Sequence, residues 1–128
     1  MELNEYALKA MTTRMPSCDN PLYMLLEIAS EAGELQGKFA KAIRKETIVF
    51  KGGNDFESAM SSEEYGEWIE GVASELGDIL WGIAGLSSQL GFSLEGIARM
   101  NLEKLAKRKK NGTIDGCGDG VTKEERGC

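Results

Sequence analysis

The chain has 128 residues, 41% apolar and 28% charged, a balance that suits one soluble domain long enough to bury a core. Its net charge of −6 argues against binding nucleic-acid polymers or an anionic membrane surface. The absence of histidine removes imidazole bases, His-paired nucleophiles and His-containing zinc sites. Cys18, Cys117 and Cys128 are odd in number and fit no zinc spacing, which favours a reducing compartment. Met1-Glu-Leu-Asn-Glu5 lacks the basic and apolar regions of a signal peptide, and the longest apolar run, 79–86, is too short for a bilayer. A cytoplasmic location is expected.

Leu3, Tyr6, Ala7, Ala10 and Met11 recur at helical spacing, so residues 2–15 predict a short amphipathic helix that Pro16 ends. Asn20 as N-cap and Pro21 at the first helical position predict a second helix to about Arg44. Its broad apolar face comprises Leu22, Leu25, Leu26, Ala29, Ala32, Gly33, Gln36, Phe39, Ala40 and Ile43, with small residues inviting close approach of a neighbouring helix. Residues 45–62 break the helical pattern and read as a surface flap, with strand-like composition at 47–50. Ser61-x-x-Glu64 forms a capping box for a third helix to about Leu90, with Trp68, Ile69, Val72, Leu76, Ile79, Leu80, Ile83 and Leu90 on its apolar stripe. Gly91 closes that helix. Ser93 caps a fourth helix to about Lys110, with Leu94, Ile97, Ala98, Leu102 and Leu105 expected inward. The Gly-rich tail 111–128 is expected to be flexible. The fold class is all-α: four main helices in one domain, with a flap and a tail.

Glu27, Glu31, Glu34 and Lys38 fall on one stripe of the second helix, within an arc of roughly 60°. Carboxylates so placed repel one another, and a cation over them would relieve this. The stripe is expected to border the apolar face described above. Glu75-x-x-Asp78 offers a matching pair on the third helix. Either pair alone is more often a solvated helix face. Two such pairs beside apolar stripes can meet when the helices pack, and carboxylates without histidine favour Mg²⁺, or Mn²⁺, over a di-iron centre.

Ser30-Glu-Ala-Gly-Glu-Leu35 with Lys38 and Lys41, then Glu75-Leu-Gly-Asp-Ile-Leu-Trp81, then Leu90-Gly-Phe-Ser-Leu-Glu95, and Asn101-Leu-Glu-Lys-Leu105 with Arg108 together resemble the MazG-like all-α nucleoside triphosphate pyrophosphohydrolases. The tail segment 111–119 resembles the ending of small phage-type members. The resemblance implies that Glu31, Glu34, Glu75 and Asp78 hold Mg²⁺, that Lys38 faces phosphate, and that Asn101 and Lys104 contact nucleoside and phosphate. Arg108 shares their helix face. Trp81 has two readings, a core residue or a platform for the base, and the first is favoured. Three departures stand out. Ser30 replaces the first of two expected glutamates, with Glu27 as a partial substitute; the 45–62 excursion lengthens the gap between motifs; and Gly120-Val121 follows Asp119 where relatives carry an arginine, for which Arg126 is a distant stand-in.

The expected chemistry is attack of water on the α-phosphorus of a nucleoside triphosphate, with Glu31 or Glu34 (Glu27 as the outside candidate) orienting and deprotonating the water and pyrophosphate leaving. Two rivals remain at this point: a non-catalytic acidic binding module, and a phosphohydrolase confined to dUTP or phosphoribosyl-ATP. The family resemblance implies a homodimer or homotetramer. The flap and tail are candidates for closing over substrate.

Overall fold

A computed structural model describes residues 1–53 and 55–116. The order is α1 (Leu3–Met11), a 3₁₀ turn (Pro16–Cys18), α2 (Pro21–Arg44), β1 (Ile48–Phe50), β2 (Phe56–Ser58), α3 (Ser62–Gln89) and α4 (Leu94–Asn111). Each long helix starts where its capping chemistry lies. Asn20 accepts from the Tyr23 backbone N–H at 2.8 Å, with Pro21 next. Ser61 and Glu64 satisfy one another's backbone N–H groups at 3.3 and 2.8 Å, a complete capping box. Ser93 accepts from Gly96 N–H. Gly91 and Gly112 take left-handed conformations just past α3 and α4, which their missing side chains permit.

Helices α2 and α3 pack antiparallel and form the spine, with Met24 beside Gly85, Ile28 beside Gly82, and Phe39 against Trp68. The close approach comes from α3: a Cβ on Gly82 would lie 2.8 Å from Ile28 Cγ1, and one on Gly85 would overlap Met24 Sδ. The small residues Ala29 and Gly33 of α2, expected to admit a neighbour, are instead exposed. Helix α1 lies against α3 and α4, tied by the Trp81 indole N–H to Ala10 O and Thr13 Oγ1 at 3.1 and 3.0 Å, and by Asn4 to Glu95.

The 45–62 excursion is a β-hairpin with Ile48 opposite Ser58 and Phe50 opposite Phe56, turned through Gly52 and Gly53. Its root is clasped. Thr47 donates twice to Ala42 O, from its N–H and its hydroxyl, while Thr47 O accepts from Ala59 N–H. Ile48 is buried, and a run of ring contacts, Phe50–Phe56–Tyr65–Trp68–Phe39, fastens the strands to both long helices.

The second helix is rotated from the sequence expectation. Met24, Ile28, Leu35, Phe39 and Ala42 face inward or lie partly covered, whereas Leu22, Leu25, Leu26 and Ile43 are exposed, Leu22 at 65%. At 100° per residue the glutamate stripe borders the first set and lies roughly opposite the second, so the expected placement of the stripe is corrected. The physical reason is that α2 is apolar on two faces and a single chain covers one. On α3, Ile69, Leu76 and Leu80 are likewise exposed. A second correction concerns α4, where every residue from Arg99 to Lys107 is exposed, including Leu102 at 67%. No helix among the described residues is long and apolar enough to cross a membrane. Cys117, Cys128, Arg126 and most of the expected tail lie outside the described residues.

Candidate active site

Helical spacing places Glu31 and Glu34 on the flank of α2 nearest α3, and antiparallel packing sets Glu75 across from them. One carboxylate oxygen from each lies within 4.8 Å of the others. Glu75 is 8% exposed, Glu31 half-buried and Glu34 exposed. Burial, together with the charges of Glu34 and Glu27, contact with Glu75 and the charge of Asp78, pushes the Glu31 carboxyl up to about 7. Hard oxygen donors crowded to the point of holding a proton near neutrality fit a divalent cation.

The sign of the resulting pH dependence is fixed. Between the ordinary carboxyl range and about 7, the folded chain binds a proton at Glu31 that the unfolded chain has released. Stability should therefore fall as pH rises from 5 to 7.5. Glu64, held down by its backbone and side-chain bonds with Ser61, has the opposite slope, which is confined to the acid end of that window where the unfolded carboxyl still holds part of its proton. Calorimetric melting in chelator should show a lower Tm at pH 7.5 than at 5.5, with Mg²⁺ or Mn²⁺ reducing the difference. A Tm rising over that range would contradict the shift.

Asp78 is exposed and outside the tight trio, but its charge raises both Glu31 and the Tyr6 phenol of α1, where burial is the larger cause. Lys38 Nζ lies 3.1 Å from Glu75 Oε1, so the one lysine of the stripe neutralises the innermost carboxylate. Glu27 reaches Tyr23, whose phenol is pushed up to about 12 by the Cys18 thiol first, then burial and Glu27. Asn101 and Lys104 are exposed on α4, and Arg108 is half-buried there. None of these three belongs to the trio. Trp81 spends its indole N–H on α1.

The sequence reading missed a cavity of about 290 Å³ where the hairpin root meets the two long helices, bounded by Lys38, Lys41, Lys45, Thr47, Met60, Glu67, Trp68 and Gly71 among others. The spacing of Lys38, Lys41 and Lys45 along α2 was its available signal; the hairpin wall had none.

Residues 19–113 match the MazG nucleotide pyrophosphohydrolase domain, a span holding α2, the hairpin, α3 and α4. The chain belongs to the MazG family. It is also 32% identical over 97 residues to the "Gene 37 protein" of Mycobacterium phage L5, covering 76% of this chain and 73% of that protein. No solved structure matches. The MazG domain places the chain among nucleotide pyrophosphohydrolases, generally dependent on divalent metal, and its all-α architecture is the one found here. The trio on α2 and α3 lies within the matched MazG span, as does the cavity beside it.

Proposed function

We propose that this MazG domain hydrolyses nucleoside triphosphates, ribo- or deoxyribo-, to monophosphate and pyrophosphate through attack of water on the α-phosphorus. The observation that carries the reading is the Glu31–Glu34–Glu75 trio with Lys38 at its edge. A divalent cation, Mg²⁺ or Mn²⁺, supplies neutralisation of the triphosphate charge and alignment of the reacting groups. Glu31, Glu34 and Glu75 would hold it, with Asp78 as the further carboxylate on α3. Glu31 or Glu34 orients the water and accepts its proton. Lys38 exchanges Glu75 for a phosphate oxygen. Asn101, Lys104 and Arg108 add donors from α4. Trp81, whose indole N–H is committed to α1, is assigned here to the fold.

Assays of pyrophosphate release across the common (d)NTPs and phosphoribosyl-ATP, with and without Mg²⁺, test this reading. Release confined to dUTP or to phosphoribosyl-ATP would narrow it, and no release from any of them would leave an acidic binding module. A cytoplasmic setting, where such nucleotides are found, accords with the reading.

We further propose that the chain acts as a homodimer or higher assembly. Leu22, Leu25, Leu26 and Ile43 of α2 and Ile69, Leu76 and Leu80 of α3 form an exposed apolar face on the side of the α2–α3 pair away from the glutamates. Two such helix pairs face to face complete a four-helix bundle, and covering each leucine or isoleucine contributes on the order of 1–2 kcal/mol. Equilibrium sedimentation should give a dimer or tetramer, and Leu25→Glu with Leu76→Glu should give monomers. A monomeric wild type would overturn the assembly.

A further inference from the structure

The cavity at the hairpin root lies one side chain from the trio. Lys38 forms part of its wall while contacting Glu75, and Gly71 faces the same ammonium, where a Cβ would come within 3.3 Å of Nζ. From there the cavity extends away from the carboxylates along both helices. Glu67 lies eight residues before Glu75, about 12 Å along α3, a separation comparable to that between an α-phosphate and the far edge of its base. At about 290 Å³ the cavity can take a nucleobase but not a second triphosphate.

The chemistry of its walls is uneven. Trp68, Met60, Ala42 and the lysine stems supply apolar surface against which a flat ring can lie. Trp68 also carries a shielded indole N–H that meets no acceptor among the described residues, an arrangement that a ligand acceptor would relieve. Thr47 has already given its hydroxyl proton to Ala42 O. The remaining donors are the ammonium groups of Lys41 and Lys45, and Glu67 is the single carboxylate of the wall. Three ammonium groups against one carboxylate do not by themselves exclude phosphate; the flat apolar walls, the volume and the distance from Glu75 are what suit the base end of a nucleotide.

We infer that this cavity receives the base of the nucleotide and that Glu67 selects guanine. Guanine presents two adjacent donors, N1–H and the N2 amino group, which one carboxylate accepts together, while its O6 and N7 accept from lysine or indole. Cytosine and adenine present one amino group to the same carboxylate. Uracil and thymine present a single N–H between two carbonyl oxygens, which Glu67 repels. The inference rests on the nucleotide reading above but concerns the opposite end of the substrate, so the two can fail separately.

The test compares dGTP, dITP, which lacks the N2 amino group, and dUTP on wild type and Glu67→Gln. Wild type should favour dGTP over dITP in kcat/KM by roughly ten- to a hundredfold, the worth of one hydrogen bond to a charged group. In Glu67→Gln the preference for dGTP over dUTP should shrink at least tenfold, chiefly through KM, with Tm unchanged. Equal use of dGTP and dITP by wild type, or an unchanged ranking in the variant, would overturn the assignment. Should no nucleotide release pyrophosphate, the hydrolytic reading fails by itself. The cavity is then judged by dGTP-induced thermal shift in Mn²⁺: a shift lost in Glu67→Gln supports the guanine site, and an equal shift in both proteins, or none, overturns it.

Discussion

Replacing Glu31 with glutamine should abolish nearly all metal-dependent hydrolysis while making the metal-free protein harder to melt. The two effects share one cause. Glu31 stands within a few ångströms of two other carboxylates and near the charges of Glu27 and Asp78, and its carboxyl is pushed up to about 7 by burial and those neighbours. A neutral amide of the same shape removes that repulsion, so Tm in chelator at pH 7.5 should rise by several degrees. The same amide is a poor cation ligand and cannot take a proton from water. Activity should fall by about 10²-fold or more, the usual scale for losing one charged group from a phosphoryl-transfer site. The stabilising effect of Mg²⁺ should shrink in parallel. Steady-state pyrophosphate release and differential scanning calorimetry on the same preparations give both readings. A variant that keeps full activity removes Glu31 from the chemistry; one that loses activity by unfolding leaves the trio without an electrostatic penalty. Either result would contradict the account above.

Gly85→Ala should destabilise the protein although it places a better helix former in the middle of α3. Helix propensity alone favours alanine by about 1 kcal/mol. The added methyl, however, overlaps Met24 Sδ, and Met24 is fully buried, so its thioether has to shift within the core. Overpacking of this kind costs about 1–3 kcal/mol, so a net loss of about 1–2 kcal/mol is expected, and more for Gly82→Ala and Gly85→Ala together. Met24→Ala alone should be destabilising by about 2–5 kcal/mol through the cavity it leaves. Combined with Gly85→Ala it should recover part of that loss, because the new methyl fills some of the vacated space. Urea titration of the four proteins gives the coupling energy. Strict additivity would show that the two side chains do not contest the same volume.

The helices were legible because their signals are local. Asn20-Pro21, Ser61-x-x-Glu64 and Ser93 mark helix starts by chemistry that acts within a few residues, and each starts a helix in the structure. The carboxylate trio was legible for a related reason, since i, i+3 spacing places Glu31 beside Glu34 whatever surrounds them, and the matching Glu75-x-x-Asp78 pair beside the apolar stripe of the third helix pointed to Glu75. What escaped was whatever depended on which face met which. Helix α2 carries apolar side chains through most of its circumference, so periodicity could not say whether Leu25 or Leu35 turned inward. The choice was made by Gly82 and Gly85 on another helix, across from Ile28 and Met24. The hairpin was equally hidden. Its strands are three residues each, and it is fastened by rings that lie far apart in sequence, Phe39 and Trp68 among them. Lys38 stood in the expected stripe, but its engagement with Glu75 depends on the register between two helices.

The clasp at the hairpin root separates two properties that loops usually confound. Thr47 is tied both to Ala42 on the helix before it and to Ala59 just past the returning strand, so chain between Thr47 and Ala59 leaves and re-enters the body at a fixed point. Thr47 and Met60, which contribute to the cavity, sit at that point; Gly52 and Gly53 are at the far turn. The turn is therefore a place where chain length can vary without the spine registering it. An epitope or fluorophore inserted between Gly52 and Gly53 reports on the hairpin from outside while the cavity walls keep their positions. Over evolutionary time, the same insulation lets the distance between the two acidic motifs drift along the chain while it stays constant in space.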